Sequence, residues 1–343
     1  MNPVSSSPQR VPFTELIDLA CEIVGGMALA TNDDFFAGKE NLLKPTAAVF
    51  IADKYTEVGK WMDGWESRRK RNLGPGNDHD WCIVHLGLPG VIRGLNVDTA
   101  HFTGNYPEYC AVDAAEAAPG TSVNALSWKE ILIKSKLRGG TWNLFPVADP
   151  SRWTHLRLRI FPDGGVARLR VHGEVLPNLA TLKASKEPVD LAAAENGGTV
   201  VTCNDMYFGQ KDNLILPGRA RVMGDGWETQ RKRGPGNDWI IVRLAAAGHV
   251  KKLEVDTNHY KGNFPESCSI EGCIRPERNL LASDFRDRKD IAWQEILPRT
   301  PLQADHRHYF EKELQATDKK FDYIRLNIFP DGGISRLRVY GSA

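Results

Sequence analysis

The chain has 343 residues, 41% of them hydrophobic and 25% charged, a composition that suits a folded protein long enough for two domains and excludes general disorder. Lys plus Arg number 44 against 43 for Asp plus Glu, and a net charge of +1 argues against a general nucleic-acid binder or a polybasic membrane-surface protein. No apolar run reaches the roughly 18 residues of a membrane span, the polar N-terminus lacks a signal core, and the six cysteines form no C-x-x-C pair, so a cytoplasmic protein with free, buried thiols is expected.

In chain order, a segment over 1–24 comes first, with a short helical pattern in "ELIDLACEIV". A first unit over 25–173 follows, then a Pro-, Ala- and Lys-containing linker over 174–196, then a second unit over 197–343. The two units are copies of one another. "NDDFFAGKENLLKP" returns as "NDMYFGQKDNLILP", "DGWESRRKRNLGPGNDHDW" as "DGWETQRKRGPGNDW", "VDTAHFTGNYPEYC" as "VDTNHYKGNFPESC", and "IFPDGGVARLRVHG" as "IFPDGGISRLRVYG". A period near 160 is a domain duplication, much too long for a solenoid repeat.

Inside each unit the pattern is β. "HLRLRIF" and "YIRLNIF" alternate apolar and polar residues, placing Leu156, Leu158 and Ile160 on one face. "PDGG" supplies a hairpin turn, "WCIVHLGL" and "WIIVRL" are apolar runs of strand length, and "SWKEIL" has a short helical pattern. Many short strands with Gly and Pro turns predict an all-β chain of two tandem jelly-roll β-sandwiches with few short helices.

Two repeated motifs, the second and third of those quoted above, carry candidate chemistry. The basic loops pair Glu66, Arg69 and Arg71 with Glu228, Arg231 and Arg233, beside Trp65 and Trp227. A guanidinium is a planar fork matched to a carboxylate, so these loops read as anion clamps or, alternatively, as solvated charge. The third motif puts Asp98, His101, Asn105 and Glu108 in the same register as Asp256, His259, Asn263 and Glu266. Gly, Asn and Pro in it make a turn; the Asp, His and Glu are surplus to a turn and suit acid–base chemistry or, alternatively, metal ligation by His plus carboxylate. "GPGND" is turn chemistry, no G-x-S-x-G or G-x-G-x-x-G loop occurs, and Cys110 and Cys268 read as buried structural thiols.

Together these motifs, from about Gly25 to Gly341, resemble the allantoicase family, whose tandem organisation they follow in order. The resemblance implies two galactose-binding-like jelly rolls, homo-oligomeric assembly, and a hydrolase of C–N bonds in linear amidines that cleaves allantoate to ureidoglycolate and urea. Such a substrate needs a cationic fork for its carboxylate, for which Arg69, Arg71, Arg231 and Arg233 are candidates. Asn32, Asn105, Asn204 and Asn263 are candidates for its ureido groups. Glu66, Asp98, His101, Glu108, Glu228, Asp256, His259 and Glu266 are the acid–base candidates, with a His protonating the departing urea and a carboxylate handling the water. No cofactor is required for that chemistry; a divalent metal is the alternative. The rival readings are a tandem carbohydrate-binding module and a metal-dependent hydrolase of another ureido compound.

Overall fold

The computed structural model describes residues 12–177, 187–275, 285 and 291–343. The chain divides into two compact units, Met1–Leu176 and Pro177–Ala343. Each is built almost entirely of β-strands joined by loops and short 3-10 turns, as the alternation required. Among the described residues no helix is long and apolar enough to cross a membrane.

One long strand organises each unit. Asp80–Asp98 pairs in its first half with Met27–Thr31 and Arg152–Phe161, and in its second half with Arg168–Val175 and Trp142–Pro146. The pairing with Arg152–Phe161 skips between His85 and Gly90, where the strand bends and passes from one layer of the sandwich to the other. Gly87 sits in this bend because a Cβ there would lie 2.3 Å from the Val24 carbonyl oxygen. Asp238–Asp256 repeats the arrangement, with its skip between Arg243 and Gly248. Between the layers lie the residues that alternation assigned inward, with Leu156, Leu158 and Ile160 fully buried. Burying each contributes about 2 kcal/mol.

Two helical expectations give way to extended structure. Lys129–Lys136, which contains most of "WKEIL", is a strand at the end of the sheet paired with Tyr109–Ala115. Its partner's free hydrogen-bonding edge outweighs the weak helical pattern of so short a stretch. In "ELIDLACEIV", Asp18 forms a bridge to His172, and the helical turns are two short 3-10 pieces, Pro12–Glu15 ending at its first residue and Glu22–Val24 at its end.

The units also reach further than the internal repeats indicated. Asp18 Oδ1 accepts the Val171 amide and Asp190 Oδ1 the Val339 amide, both at 2.9 Å, while Leu19 and Leu191 are fully buried. The end of the 1–24 segment and the end of the 174–196 linker therefore belong to their sandwiches. Residues 1–11 of that segment and 178–186 of that linker lie outside the described residues. The longest addition in this part of unit one lies ahead of the basic loop: eighteen positions separate Pro45 from Asp63, against eight from Pro217 to Asp225. The extra residues make a small hairpin, Tyr55–Thr56 against Gly59–Lys60, that unit two lacks.

Candidate active site

Trp65–Glu66 is a two-residue strand paired with Gly165–Val166, and Trp227–Glu228 pairs likewise with Gly333–Ile334. Alternation sends the two side chains of each strand to opposite sides. Trp65 and Trp227 are 0% exposed, and each indole N–H donates to a carbonyl, of Asp33 or Asp205, at 2.8 Å. Glu66 and Glu228 point outward and are half-buried. The Asn105 amide donates to Glu66 Oε1 at 2.7 Å, and the Asn263 amide donates to Glu228 in the matching place. Burial pushes the Glu66 carboxyl above its ordinary value, against the smaller opposing effect of the Asn105 bond.

The asparagines are fixed by the turn that follows each long strand. Asp98 Oδ1 accepts the Ala100 amide at 2.8 Å and Asp256 Oδ1 the Asn258 amide at 2.9 Å, which starts the turn. His101 and His259 then adopt φ of 69° and 70°, and each Nε2 lies 3.1 Å from a carbonyl oxygen, of Ala48 or Ala220. Asn105 and Asn263 offer their carbonyls to Gly165 and Gly333 at 2.8 and 2.9 Å. Gly164 and Gly332 have φ of 137° and 133°; a Cβ on either would lie within 2.8 Å of this turn's backbone, which explains the "DGG" of both hairpins.

The same hairpins order the basic loops. Asp163 accepts the Lys70 amide and Asp331 the Lys232 amide, both at 2.8 Å. The Lys70 and Lys232 ammonium groups turn inward to the buried Asp80 and Asp238, each at 2.7 Å. Asn32 and Asn204 serve those same aspartates, donating to Asp80 and Asp238 at 2.6 and 2.7 Å and accepting the amides of Trp81 and Trp239. Arg69, Arg71, Arg231 and Arg233 are left exposed, with no ion pair or hydrogen bond among the described residues.

In unit two these parts enclose an open cleft of about 710 Å³. Glu228, Asn263, Arg231 and Glu266 line it, together with Phe208, Thr229, Pro330, Asp331 and Gly332. The cleft thus gathers four of the sequence candidates. Trp65, Trp227, Asn32 and Asn204 spend their side-chain polar atoms on the fold, Asp98 and Asp256 each spend Oδ1 on a backbone amide, and each histidine holds a loop carbonyl at Nε2. Phe208, Thr229 and Asp331 were not singled out from sequence, although "IFPDGG", read there as a hairpin alone, is one of the best-kept stretches of the duplication. Among the described residues no group of three or more His, Cys, Asp or Glu is placed to hold a metal ion.

A half-buried carboxylate held by an amide, an exposed arginine and a second carboxylate in one cleft define a duplicated β-sandwich protein that takes a small polar anion. The Allantoicase repeat family model matches residues 17–176 and 189–343. The chain is 49% identical to the allantoicase of Dictyostelium discoideum over 330 residues, 95% of this chain and 87% of that one. It is 46% identical to a probable allantoicase of Burkholderia mallei over 98% of both chains. The crystal structure of the Saccharomyces cerevisiae allantoicase superposes with a TM-score of 0.79 at 32% identity, covering 95% of this chain and 93% of that one. The chain belongs to the allantoicase family, and its activity is the hydrolysis of allantoate to ureidoglycolate and urea.

Proposed function

We propose that each unit carries its own allantoate site, built on Glu66 and Asn105 in unit one and on Glu228 and Asn263 in unit two. The observation that carries this reading is the amide–carboxylate pair made twice in the same geometry. Arg69 and Arg231, with no hydrogen-bond or ion-pair partner among the described residues, take the substrate carboxylate as a two-pronged donor. The remaining polar atoms of Asn105 and Asn263 take a ureido group.

In the reaction, water forms a C–O bond to the central carbon as the C–N bond to one ureido group breaks. Exposed Glu108 or Glu266 takes the water's proton, and Glu66 or Glu228 protonates the departing urea nitrogen. Burial favours the protonated form of Glu66, as a proton donor requires. Asp98, Asp256, His101 and His259 act through the turn that sets the asparagines. We assign no cofactor to the step, because water alone balances it; turnover that survives a chelator is the matching check.

We further propose a homo-oligomer working in the cytoplasm. Six unpaired cysteines suit a reducing compartment, and the exposed Val49, Phe50 and Ile51 supply apolar surface for self-association. Sedimentation as a monomer would count against the oligomer. The reading of the site is tested by urea release from allantoate, with allantoin and ureidoglycolate as controls. The double variant Glu66→Gln, Glu228→Gln is expected to lose at least about a hundredfold in turnover; unchanged turnover refutes it.

A further inference from the structure

A second cavity, of about 410 Å³, opens in unit one at the far end of the Arg152–Phe161 strand from the Pro162–Gly164 turn. His85, Thr154, His155, Glu116 and Arg152 line it. From His155 to Asp163 is eight residues of chain, about 26 Å if extended, so the cavity is separate from the Glu66 site. Glu116 Oε1 and Arg152 pair at 2.8 Å, so among the cavity's lining groups the buried, unpartnered ring nitrogen is His85 Nδ1.

His85 and His155 are direct cross-strand partners, and their rings stand edge to face with centroids 5.0 Å apart. His85 Nδ1 is buried and has no hydrogen-bond partner among the described residues. His155 Nδ1 lies 2.8 Å from Thr154 Oγ1, and that hydroxyl also has the Ala115 carbonyl at 3.2 Å as acceptor and the Ala117 amide at 2.9 Å as donor. With the hydroxyl proton on the Ala115 carbonyl, His155 carries its own proton on Nδ1 and leaves Nε2 bare. Burial pushes both imidazoles below their ordinary value, so neutral rings with free lone pairs are the resting forms.

Two other features single this pair out. In unit two the same register holds Arg243 opposite Tyr323, and Tyr323 is packed under Phe285 and Trp293 in an apolar cluster. The duplication therefore filled this place with aromatic rings in one unit and kept a cavity with two imidazoles in the other. The neighbouring histidines of unit two, His306 and His308, have centroids 4.9 Å apart, but both ring nitrogens of His308 are taken, by the Gln303 amide and the Val255 carbonyl.

We propose that His85 and His155 form a two-imidazole site for a divalent transition-metal ion of the zinc, nickel or copper class, distinct from the hydrolytic clefts. Imidazole nitrogens bind such ions at about 2 Å, and a modest ring rotation brings two cross-strand rings onto one ion. Water completes the coordination in the cavity.

The test is calorimetric titration of the full chain with nickel(II), comparing wild type with His85→Arg, His155→Tyr. That double variant installs the residue pair that unit two already accommodates in the same register. Wild type is expected to bind one equivalent per chain, and the variant to bind it more than about a hundredfold more weakly, beyond the roughly 10–100-fold that loss of an outer-shell partner causes. Urea release should be the same in both. Equal nickel binding by the two proteins, or no single-equivalent binding by wild type, overturns the site. Should the double variant melt early, His85→Gln and His155→Gln separately give the same reading, and copper(II) EPR should show two nitrogen ligands in wild type alone.

Discussion

Asn105 donates to Glu66 across 2.7 Å, and its carbonyl accepts the Gly165 amide in the strand opposite Glu66, so one residue fixes both the Glu66 carboxylate and the strand beside it. Asn263 stands in the same relation to Glu228 and Gly333. The bond favours the ionised carboxylate, and burial favours the neutral one. Replacing both asparagines by Ala should lower kcat by about 10–100-fold. It should also move the alkaline limb governed by Glu66 upward, because the group loses the bond that holds its pKa down. A pH–rate profile with an unmoved alkaline limb would contradict the pairing's role.

Among the described residues Arg69 and Arg231 are held through their neighbours, Lys70 and Lys232, whose amides and ammonium groups are pinned. Removing both guanidinium forks should cost substrate binding about 2 kcal/mol, roughly thirtyfold in KM, with kcat less affected. Lysine at both positions should restore only part of this, since an ammonium cannot bind both carboxylate oxygens in plane. Steady-state kinetics that put the whole loss on kcat would reassign the arginines to the chemical step.

His101 and His259 adopt left-handed backbone and hold a loop carbonyl. Asn tolerates that conformation, whereas Val does not. Asn at both positions should therefore keep turnover within a few-fold of wild type, while Val should cost about 1–3 kcal/mol of stability at each position. Loss of turnover by more than about a hundredfold in the well-folded Asn variant would restore the histidines as proton donors.

Asp190 ties the end of the linker to the last strand, with both of its amide bonds falling on Oδ1 and Arg338 lying 3.5 Å from Oδ2. Burial raises its pKa to about 6, against the opposing pull of Arg338. A carboxyl raised on folding binds its proton more tightly in the native state. Its stabilising contribution is therefore full below the unfolded value near 3.8 and is lost as pH climbs to about 6. The loss amounts to roughly 3 kcal/mol at most. Asp190→Asn keeps an oxygen for both amides and should flatten this stretch of the stability–pH curve in chemical denaturation; an unchanged curve would contradict it.

Much of this fold was legible because the duplication displayed it: residues kept in both copies at one spacing marked the turns, the basic loops and the strand alternation. The site was legible only in part. Sequence shows that a residue type is kept, not whether its polar atoms face the cleft or the fold. Asp98 and Asn105 sit in one motif, yet the first caps a backbone amide and the second reaches a carboxylate. Trp65 and Glu66 are neighbours that alternation sends to opposite sides. Asp331 escaped notice because a Pro-Asp-Gly-Gly run is sufficient to make a hairpin, and nothing in the run reveals which loop packs on it. The Lys129–Lys136 strand was hidden for a related reason, since its structure depends on the edge that receives it.

Whether each unit holds its own working site is decided by counting sites with Glu66→Gln and Glu228→Gln separately and together. Each single variant should keep a substantial share of wild-type kcat for urea release from allantoate, from the untouched unit, with KM little changed. The double variant should fall by at least about a hundredfold. Abolition of turnover by either single change alone would mean one shared site, and an active double variant would remove these carboxylates from the chemistry.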